Sequence, residues 1–192
     1  IARTTFENLK MRERWEGTLS DDLTVTRVLN EAGLPIVFVP AALSASVENC
    51  SFGEMLEFTT RQRKITRVYA ARLWVLSFIG SGLYCLVMTA AILIAALYPR
   101  NDAIVWISLA TLTIVSACSI GKAWLRLKAV KLVLKHHEHQ LGRQLLTQLT
   151  LWSVTPAIFF YNAVAALFSR QLRWRGTRYV LKSHRETVII AD

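Results

Sequence analysis

Residues 73–98 read LWVLSFIGSGLYCLVMTAAILIAALY, a run of 26 residues that contains no Asp, Glu, Lys or Arg. As an α-helix with a rise of ~1.5 Å per residue this run would be ~39 Å long, whereas the hydrocarbon core of a bilayer is ~30 Å thick. Residues 103–121 form a second charge-free run, which would be ~28 Å long as a helix, and only four residues separate the two runs. The sequence therefore predicts a transmembrane hairpin over residues 73–121.

Basic residues flank this hairpin on one side. Residues 61–72 and 122–143 together hold eleven Lys and Arg, whereas the loop between the two apolar runs holds one. Because cytoplasmic loops carry an excess of Lys and Arg, both basic segments are expected in the cytoplasm. The chain is thus predicted to be an integral, multi-pass membrane protein whose residues 1–72 lie on the cytoplasmic face.

A third charge-free run, residues 144–169, is harder to interpret. It is long enough to cross a bilayer, but Pro156 interrupts it and a crossing would export the basic residues that follow it. A third span and a re-entrant or broken segment both remain open, and the positive-inside rule favours a cytoplasmic tail.

The composition excludes several classes of protein. Three Cys without CxxC spacing provide neither a disulfide framework nor a cysteine metal site. The net charge of +10 lies largely beside apolar runs, which predicts membrane lipids and not nucleic acid as partners. The cluster His136-His137-Glu138-His139 contains common zinc ligands, but it lies in a basic amphipathic stretch without a second ligand cluster. A solvated interfacial face is therefore favoured, and no metal site is expected within this chain.

The segment before the apolar runs is expected to belong to an α/β domain. Thr4 and Glu7 have capping-box spacing for a short first helix. Ser20, Asp21 and Asp22 provide N-cap side chains for a helix over residues 23–32, with Gly33 as its C-cap. Residues 34–39, LPIVFV, are typical of a short buried strand.

The other segments complete a division into six parts. A second capping box at Ser51 and Glu54 opens a helix that is expected to run into the first apolar run. The tail is expected to form a small hairpin from residues 178–181 and 186–190. The predicted parts are a domain remnant (1–60), a basic interfacial helix (61–72), the transmembrane hairpin (73–121), an amphipathic interfacial helix (122–143), a third transmembrane or re-entrant segment (144–169) and a basic tail hairpin (170–192).

Asp21 and Asp22 are the sharpest local feature of this chain. A carboxylate at a helix N-terminus is held ionised by free amides and by the helix dipole, which suits a general base. The alternative is an ordinary N-cap, because Asp is among the preferred capping residues.

Three separated motifs resemble the second half of the membrane-bound family 2 glycosyltransferases, in particular the ceramide glucosyltransferase-like branch. Residues 15–27 read WEGTLSDDLTVTR, residues 61–65 read RQRKI and residues 174–179 read WRGTRY. The first resembles an acidic motif of Thr-Glu-Asp type, matched here by Ser20-Asp21-Asp22. The second resembles a Gln/Arg-x-x-Arg-Trp motif in which Lys64 stands for the Arg and Ile65 for the Trp.

The resemblance implies roles for individual residues. Asp22 would be the catalytic base, and Asp21 would take the place of the family's Glu. Arg61, Lys64 and the following cation Arg67 would bind the donor diphosphate and the acceptor end, with Arg61 and Lys64 one helical turn apart on one face. Trp15 is either a platform for the acceptor or a core aromatic.

The resemblance also implies a donor half and a cofactor. Family members bind the nucleotide-sugar through an N-terminal half that carries an Asp-x-Asp type motif and a divalent metal, Mg or Mn. Since no such motif precedes Asp21, this chain is expected to be a fragment without the donor-binding half. The expected fold is a mainly α membrane protein, in which the C-terminal remnant of an α/β GT-A-type domain precedes interfacial and transmembrane helices and a short β-hairpin.

The sequence thus predicts a nucleotide-sugar-dependent hexosyltransferase that transfers a sugar, with inversion, to a membrane lipid acceptor. A non-catalytic membrane scaffold or subunit derived from such an enzyme is the main alternative, which Ile65 and the missing donor half favour. A small transport component is less favoured, because the first two apolar runs lack the ionisable residues that mark intramembrane pathways.

Overall fold

The computed structural model describes residues 1–45 and 49–190, and most of them are helical. The chain divides into two compact units. The first comprises Ile1–Phe38, Cys50–Phe78 and Tyr161–Asp192, and the second comprises Val39–Asn49 and Ile79–Phe160. The elements are, in chain order, α1 (Arg3–Asn8), α2 (Met11–Trp15), α3 (Asp21–Glu31), α4 (Phe52–Tyr69), α5 (Ala71–Leu97), α6 (Asp102–Val133), α7 (Glu138–Arg143), α8 (Leu145–Thr150), α9 (Val154–Phe168), β1 (Gln171–Trp174), β2 (Thr177–Leu181) and β3 (Thr187–Ile190), with short 3₁₀ turns at Pro40–Ala42 and Lys135–His137.

The N-terminal residues form two short helices, and the capping box predicted at Thr4 and Glu7 is wrong. Helix α1 begins earlier, at Arg3, and Glu7 pairs with the Arg3 guanidinium at 2.8 Å. Lys10 adopts a left-handed conformation with φ of 49°, which separates α1 from α2. The side chain of Glu7 therefore bonds one turn back along its own helix and not to the chain before it.

Helix α3 confirms the prediction of a helix between Ser20 and Gly33, although it begins two residues earlier than expected. At its end, the Gly33 amide donates to Asn30 and the Leu34 amide donates to Leu29, the two bonds of a Schellman motif. Gly33 has φ of +67°, which glycine adopts without the steric cost of a Cβ.

The buried strand predicted over residues 34–39 is wrong. These residues form no strand, and Val37 and Phe38 are 76% and 73% exposed. A strand requires a hydrogen-bonded neighbour and a covering layer, and the described part of the chain provides neither beside this segment.

Helix α4 begins at the predicted capping box, which is confirmed. The Ser51 hydroxyl accepts from the Glu54 amide, and the Ser51 amide donates to Glu54 Oε2 at 2.7 Å. Hydrogen bonds from the Ser51 amide and hydroxyl to the Glu54 carboxylate hold the pKa of Glu54 below its usual value. The predicted continuous helix into the apolar run is wrong, however, because Ala70, with φ of −140° and ψ of 61°, ends α4 before α5 begins.

A small sheet covers one face of α4. Strand β1 pairs antiparallel with β2, which pairs antiparallel with β3. The predicted hairpin of the last two strands is confirmed, and β1 adds a third strand that the sequence analysis did not predict. The hydrophobic core between the sheet and α4 contains Tyr69, Leu172 and Leu181. Five partly buried residues of α3, α4, β2 and the loop before α3 pack against this core: Leu19, Leu23, Ile65, Val68 and Tyr179.

The second unit contains most of the apolar sequence. Helices α5 and α6 are both long and apolar enough to cross a membrane. Helix α6 continues through Lys122 to Val133, so the helix predicted separately over residues 122–143 begins as an extension of the second apolar run. No Pro lies in this stretch to stop the helix.

The third apolar run is divided between two helices. It forms α8 and, after three residues in turns, the 15-residue α9. Pro156 does not break a helix in this arrangement, since it lies in the first turn of α9, where its missing N–H costs no hydrogen bond. The arrangement matches the broken segment that the sequence analysis kept as an alternative.

Candidate active site

One face of α4 and the start of β1 enclose a cleft of about 300 Å³ in the first unit. The α4 residues that line it recur at spacings of one, three and four, which places them on a single face of the helix. The lining comprises Gly53, Leu56, Glu57, Thr60, Arg61 and Lys64 of α4, Tyr161 of α9, and Leu172 and Arg173 of β1. Three of these residues are cations and one is a carboxylate.

Arg61 is held in this cleft by aromatic rings. Its guanidinium carbon lies 5.3 Å from the centre of the Phe58 ring and 5.8 Å from that of Trp174. Contacts of this kind are cation–π interactions, and they leave the N–H groups at the edge of the guanidinium able to donate to an anion.

Lys64 is held in the same cleft by the sheet. Its ammonium Nζ donates to the backbone oxygen of Gln171 at 2.6 Å, which uses one of its three donors. Partial burial lowers the pKa of Lys64 from its usual value, because desolvation disfavours the charged form. The structure therefore brings Arg61 and Lys64 together, as the sequence analysis expected.

Arg67 does not belong to this cleft, which corrects its grouping with Arg61 and Lys64. Its guanidinium donates to the backbone oxygens of Ala166 and Leu167 at 2.5 and 2.8 Å and lies 5.6 Å from the centre of the Trp74 ring. These carbonyls belong to the last turn of α9, where a cation satisfies unpaired acceptors. Arg67 thus caps a helix.

Asp21 and Asp22 lie exposed at the start of α3. Asp22 Oδ1 accepts from the Ser20 hydroxyl and from the Leu23 amide at 2.8 Å, and Asp21 Oδ1 accepts from the Asp22 amide at 2.9 Å. Within residues 1–45 and 49–190, Oδ2 of Asp22 has no hydrogen-bond donor. The carboxylate is oriented through one oxygen, while the other is available.

Trp15 lies beside this acidic pair. Its indole Nε1 donates to the backbone oxygen of Asp21 at 3.3 Å, and its ring meets Phe6 edge to face at a centroid distance of 5.3 Å. Trp15 is only partly buried, so its ring packs against α1 and still presents surface to solvent.

The acidic pair and the cation cleft are connected through Tyr69 but do not merge. The Tyr69 hydroxyl accepts from the Leu19 amide at 2.7 Å, and its backbone oxygen accepts from Arg27 of α3 at 2.7 Å. Along the axis of α4, Lys64 lies ~7.5 Å and Arg61 ~12 Å before Tyr69. Neither aspartate lines the cleft, so the structure places both groups in one unit but at separate positions.

Four residues that shape this region were given no role in the site from the sequence. Arg173 and Tyr161 line the cleft, Trp174 contacts Arg61, and Tyr69 anchors the loop before α3. A signal was present for Trp174: the Arg175-Gly176 pair, with φ of 49° and 86°, forms the two-residue turn between β1 and β2, and such turns favour Gly at their second position.

The described residues do not by themselves form a metal centre. No three His, Cys, Asp or Glu side chains converge in residues 1–45 and 49–190. His137 bonds instead to Gln140 at 3.1 Å. The donor set for the expected Mg or Mn is thus not assembled by the side chains that the structure describes.

Comparisons with known proteins identify a family for this chain. Searches of curated proteins and of solved structures found no match. The model for glycosyl transferase family 21 matches residues 13–187, a range that contains the acidic pair, the cleft and the two long apolar helices. This confirms the resemblance at the level of a glycosyltransferase family, with family 21 in place of the family 2 named from the sequence. The chain belongs to glycosyl transferase family 21.

Proposed function

We propose that this chain carries the acceptor side of a nucleotide-sugar-dependent hexosyltransferase that transfers a sugar, with inversion, to a membrane lipid. The observation that carries the proposal is the family match over residues 13–187, within which a cleft lined by Arg61 and Lys64 occurs in the same unit as an exposed carboxylate. Membership in a glycosyltransferase family implies a sugar donor and an acceptor in general. The resemblance to the ceramide glucosyltransferase-like branch supports a lipid hydroxyl as that acceptor.

Asp22 is assigned as the general base. Its Oδ2 accepts the proton of the acceptor hydroxyl while the hydroxyl oxygen forms a bond to the anomeric carbon of the sugar. The bond from that carbon to the diphosphate breaks, and the diphosphate departs with the electron pair. A single displacement of this kind inverts the anomeric configuration. Ser20 and the Leu23 amide support the assignment, because they orient the carboxylate through its other oxygen.

Arg61 and Lys64 are assigned to the departing diphosphate. Fixed cations aimed at developing negative charge commonly make the largest catalytic contribution. Asp21 and Trp15 are assigned to the acceptor side, since Trp15 donates to the backbone of Asp21. Arg67 is left out of the binding set, because its guanidinium is committed to the end of α9.

The donor nucleotide and a divalent Mg or Mn are proposed to bind residues of the parent protein outside this chain. When bound, the metal would neutralise diphosphate charge. Helices α5 and α6 are proposed to cross the membrane with the cleft on its cytoplasmic face, so that the lipid hydroxyl meets Asp22 at headgroup depth.

The test is the Asp22→Asn variant of the parent protein, assayed in membranes with nucleotide-sugar donors and a lipid extract. Loss of a general base is expected to lower kcat by about 10²–10⁴-fold. Glu13→Gln, which neutralises an exposed acid of α2, is the matched control and should retain the wild-type rate. Transfer by Asp22→Asn at the wild-type rate would remove Asp22 from its assigned role.

A non-catalytic scaffold or subunit is the second candidate. Ile65, which stands where the family motif has Trp, packs against the core of Tyr69, Leu172 and Leu181 and does not line the cleft. This candidate predicts that the wild-type parent protein inserts into membranes but transfers no sugar from any donor to the lipid extract.

A further inference from the structure

The C-terminal sheet brings a third cation to the cleft of Arg61 and Lys64. Arg173 of β1 lines that cleft, although it follows Lys64 by more than a hundred residues in the chain. Two contacts hold β1 against α4 at this point. Lys64 donates to the Gln171 backbone, and Arg61 lies over the Trp174 ring. Arg173 stands between these two anchors, so its backbone is fixed from both sides.

The charges of the cleft are unbalanced. Three cationic residues line it, whereas Glu57 is the one acid among its lining residues. Within residues 1–45 and 49–190, the structure gives Arg61, Lys64 and Arg173 no ion pair. Like charges gathered in one cleft repel one another, and a bound anion would relieve that repulsion.

The donor geometry suits a phosphate-bearing anion. Two guanidinium groups provide planar forks that match phosphate oxygens in pairs, and Lys64 adds a compact point charge. The cleft volume of about 300 Å³ lies at the lower end of the range for small-molecule sites. A cleft of that size admits a diphosphate group or a phospholipid headgroup.

We infer that Arg173 is the third diphosphate-binding residue of this site, so that the C-terminal sheet completes the leaving-group cleft. This inference rests on the proposed function, because it takes the diphosphate of the sugar donor as the ligand. It gives the tail strand β1 a direct part in binding, beyond its packing against α4.

The test measures binding of inorganic pyrophosphate to the whole chain in a neutral detergent by titration calorimetry. Replacing a bidentate charge-assisted contact should weaken binding about tenfold or more in Arg173→Gln, and Arg173→Lys should weaken it less. Glu57→Gln should strengthen binding, because it removes the one acid that faces the cleft. Arg12→Gln, an equal charge change on an exposed residue of α2, is the control and should bind as the wild type does.

Parallel measurements on Arg61→Gln separate the inference from the function on which it rests. Weaker binding in Arg61→Gln with wild-type binding in Arg173→Gln would overturn the inference and leave the proposed cleft intact. Wild-type binding in both variants would overturn both assignments. An equal loss in Arg12→Gln would show a net charge effect and would also overturn the inference.

A last arm distinguishes the source of the phosphate. Vesicles of phosphatidylcholine with and without phosphatidic acid are titrated against the wild type and Arg173→Gln. Pyrophosphate should compete with Arg173-dependent binding of phosphatidic acid if both use the cleft. Binding of phosphatidic acid that depends on Arg173, without any binding of pyrophosphate, would overturn the diphosphate assignment in favour of a lipid headgroup.

Discussion

Gly17, in the loop between α2 and α3, connects that loop to the C-terminal sheet. Its φ is +72°, and a Cβ built on it would lie 2.7 Å from the backbone oxygen of Arg185. The Thr187 amide also donates to the Gly17 backbone oxygen at 2.8 Å. Because Gly17 stands four residues before Asp21, the tail contacts the chain just ahead of the proposed base.

Gly17→Ala is therefore expected to destabilise the fold by about 1–3 kcal/mol, since the left-handed conformation and the close carbonyl both oppose a side chain. Gly53→Ala is the matched control. Gly53 lies in the first turn of α4 with nothing near its Cβ position, so alanine there should be neutral or stabilising by up to about 1 kcal/mol. Urea unfolding in detergent compares the two variants, and equal midpoints would contradict the prediction.

Contacts between elements decide where the acidic pair lies. Helix α3 and the loop before it are held to the end of α4 by two bonds to Tyr69, and His184, in the loop between β2 and β3, lies near Arg27 and Glu31 of α3. His184 of that loop has a pKa below its usual value, because of burial and of the nearby charges of Arg27 and Arg185, with Glu31 acting in the opposite direction. The stability of the fold should therefore depend on pH through His184.

The direction of this pH dependence follows from how readily His184 binds a proton in the folded and in the unfolded chain. The unfolded chain protonates His184 near pH 6.5, whereas the folded chain does so only at lower pH. The contribution of neutral His184 to the free energy of unfolding is therefore fully present above pH 6.5. It is lost as the pH falls towards the pKa of His184 in the folded chain. The urea midpoint should fall less between pH 7.5 and pH 5.0 in His184→Gln than in the wild type. The fall for Arg185→Gln should lie between those two. An unchanged pH dependence in His184→Gln would contradict the assignment.

At the scale of the whole chain, the two long apolar helices and the basic segments beside them define a proposed topology. Residues 61–72 and 122–133 are basic, whereas residues 99–102, between the two apolar runs, contain one Arg and one Asp. The positive-inside rule then places residues 99–102 opposite the cytoplasm.

Cysteine labelling tests this topology in sealed vesicles whose cytoplasmic side faces outward. In a variant with Cys50, Cys85 and Cys118 replaced by Ala, an impermeant maleimide should modify Glu13→Cys at once. Asn101→Cys should react only after detergent opens the vesicles. Immediate labelling of both positions would contradict the proposed hairpin.

The helices that the sequence predicted correctly depend on neighbours in the chain. The capping box of Ser51 and Glu54 and the end of α3 at Gly33 each involve residues within about one turn of one another. Helices α5 and α6 are recognised from continuous charge-free runs. Local hydrogen bonds and hydrophobic length determine these features, so no distant contact is needed to recognise them.

The remaining features depend on residues far apart in sequence. The strand predicted over residues 34–39 has no partner in the part of the chain that the structure describes, whereas β1 forms because β2 and α4 cover it. The separation of Arg67 from Arg61 and Lys64 follows from its capping of α9, about a hundred residues later. The order of residues along the chain is enough to recognise the available chemical groups, the two apolar helices and the likeness to glycosyltransferases. Only the folded chain shows that Arg173 joins Arg61 and Lys64 in the cleft and that Arg67 does not, since strand pairing and helix capping by distant residues leave no local pattern.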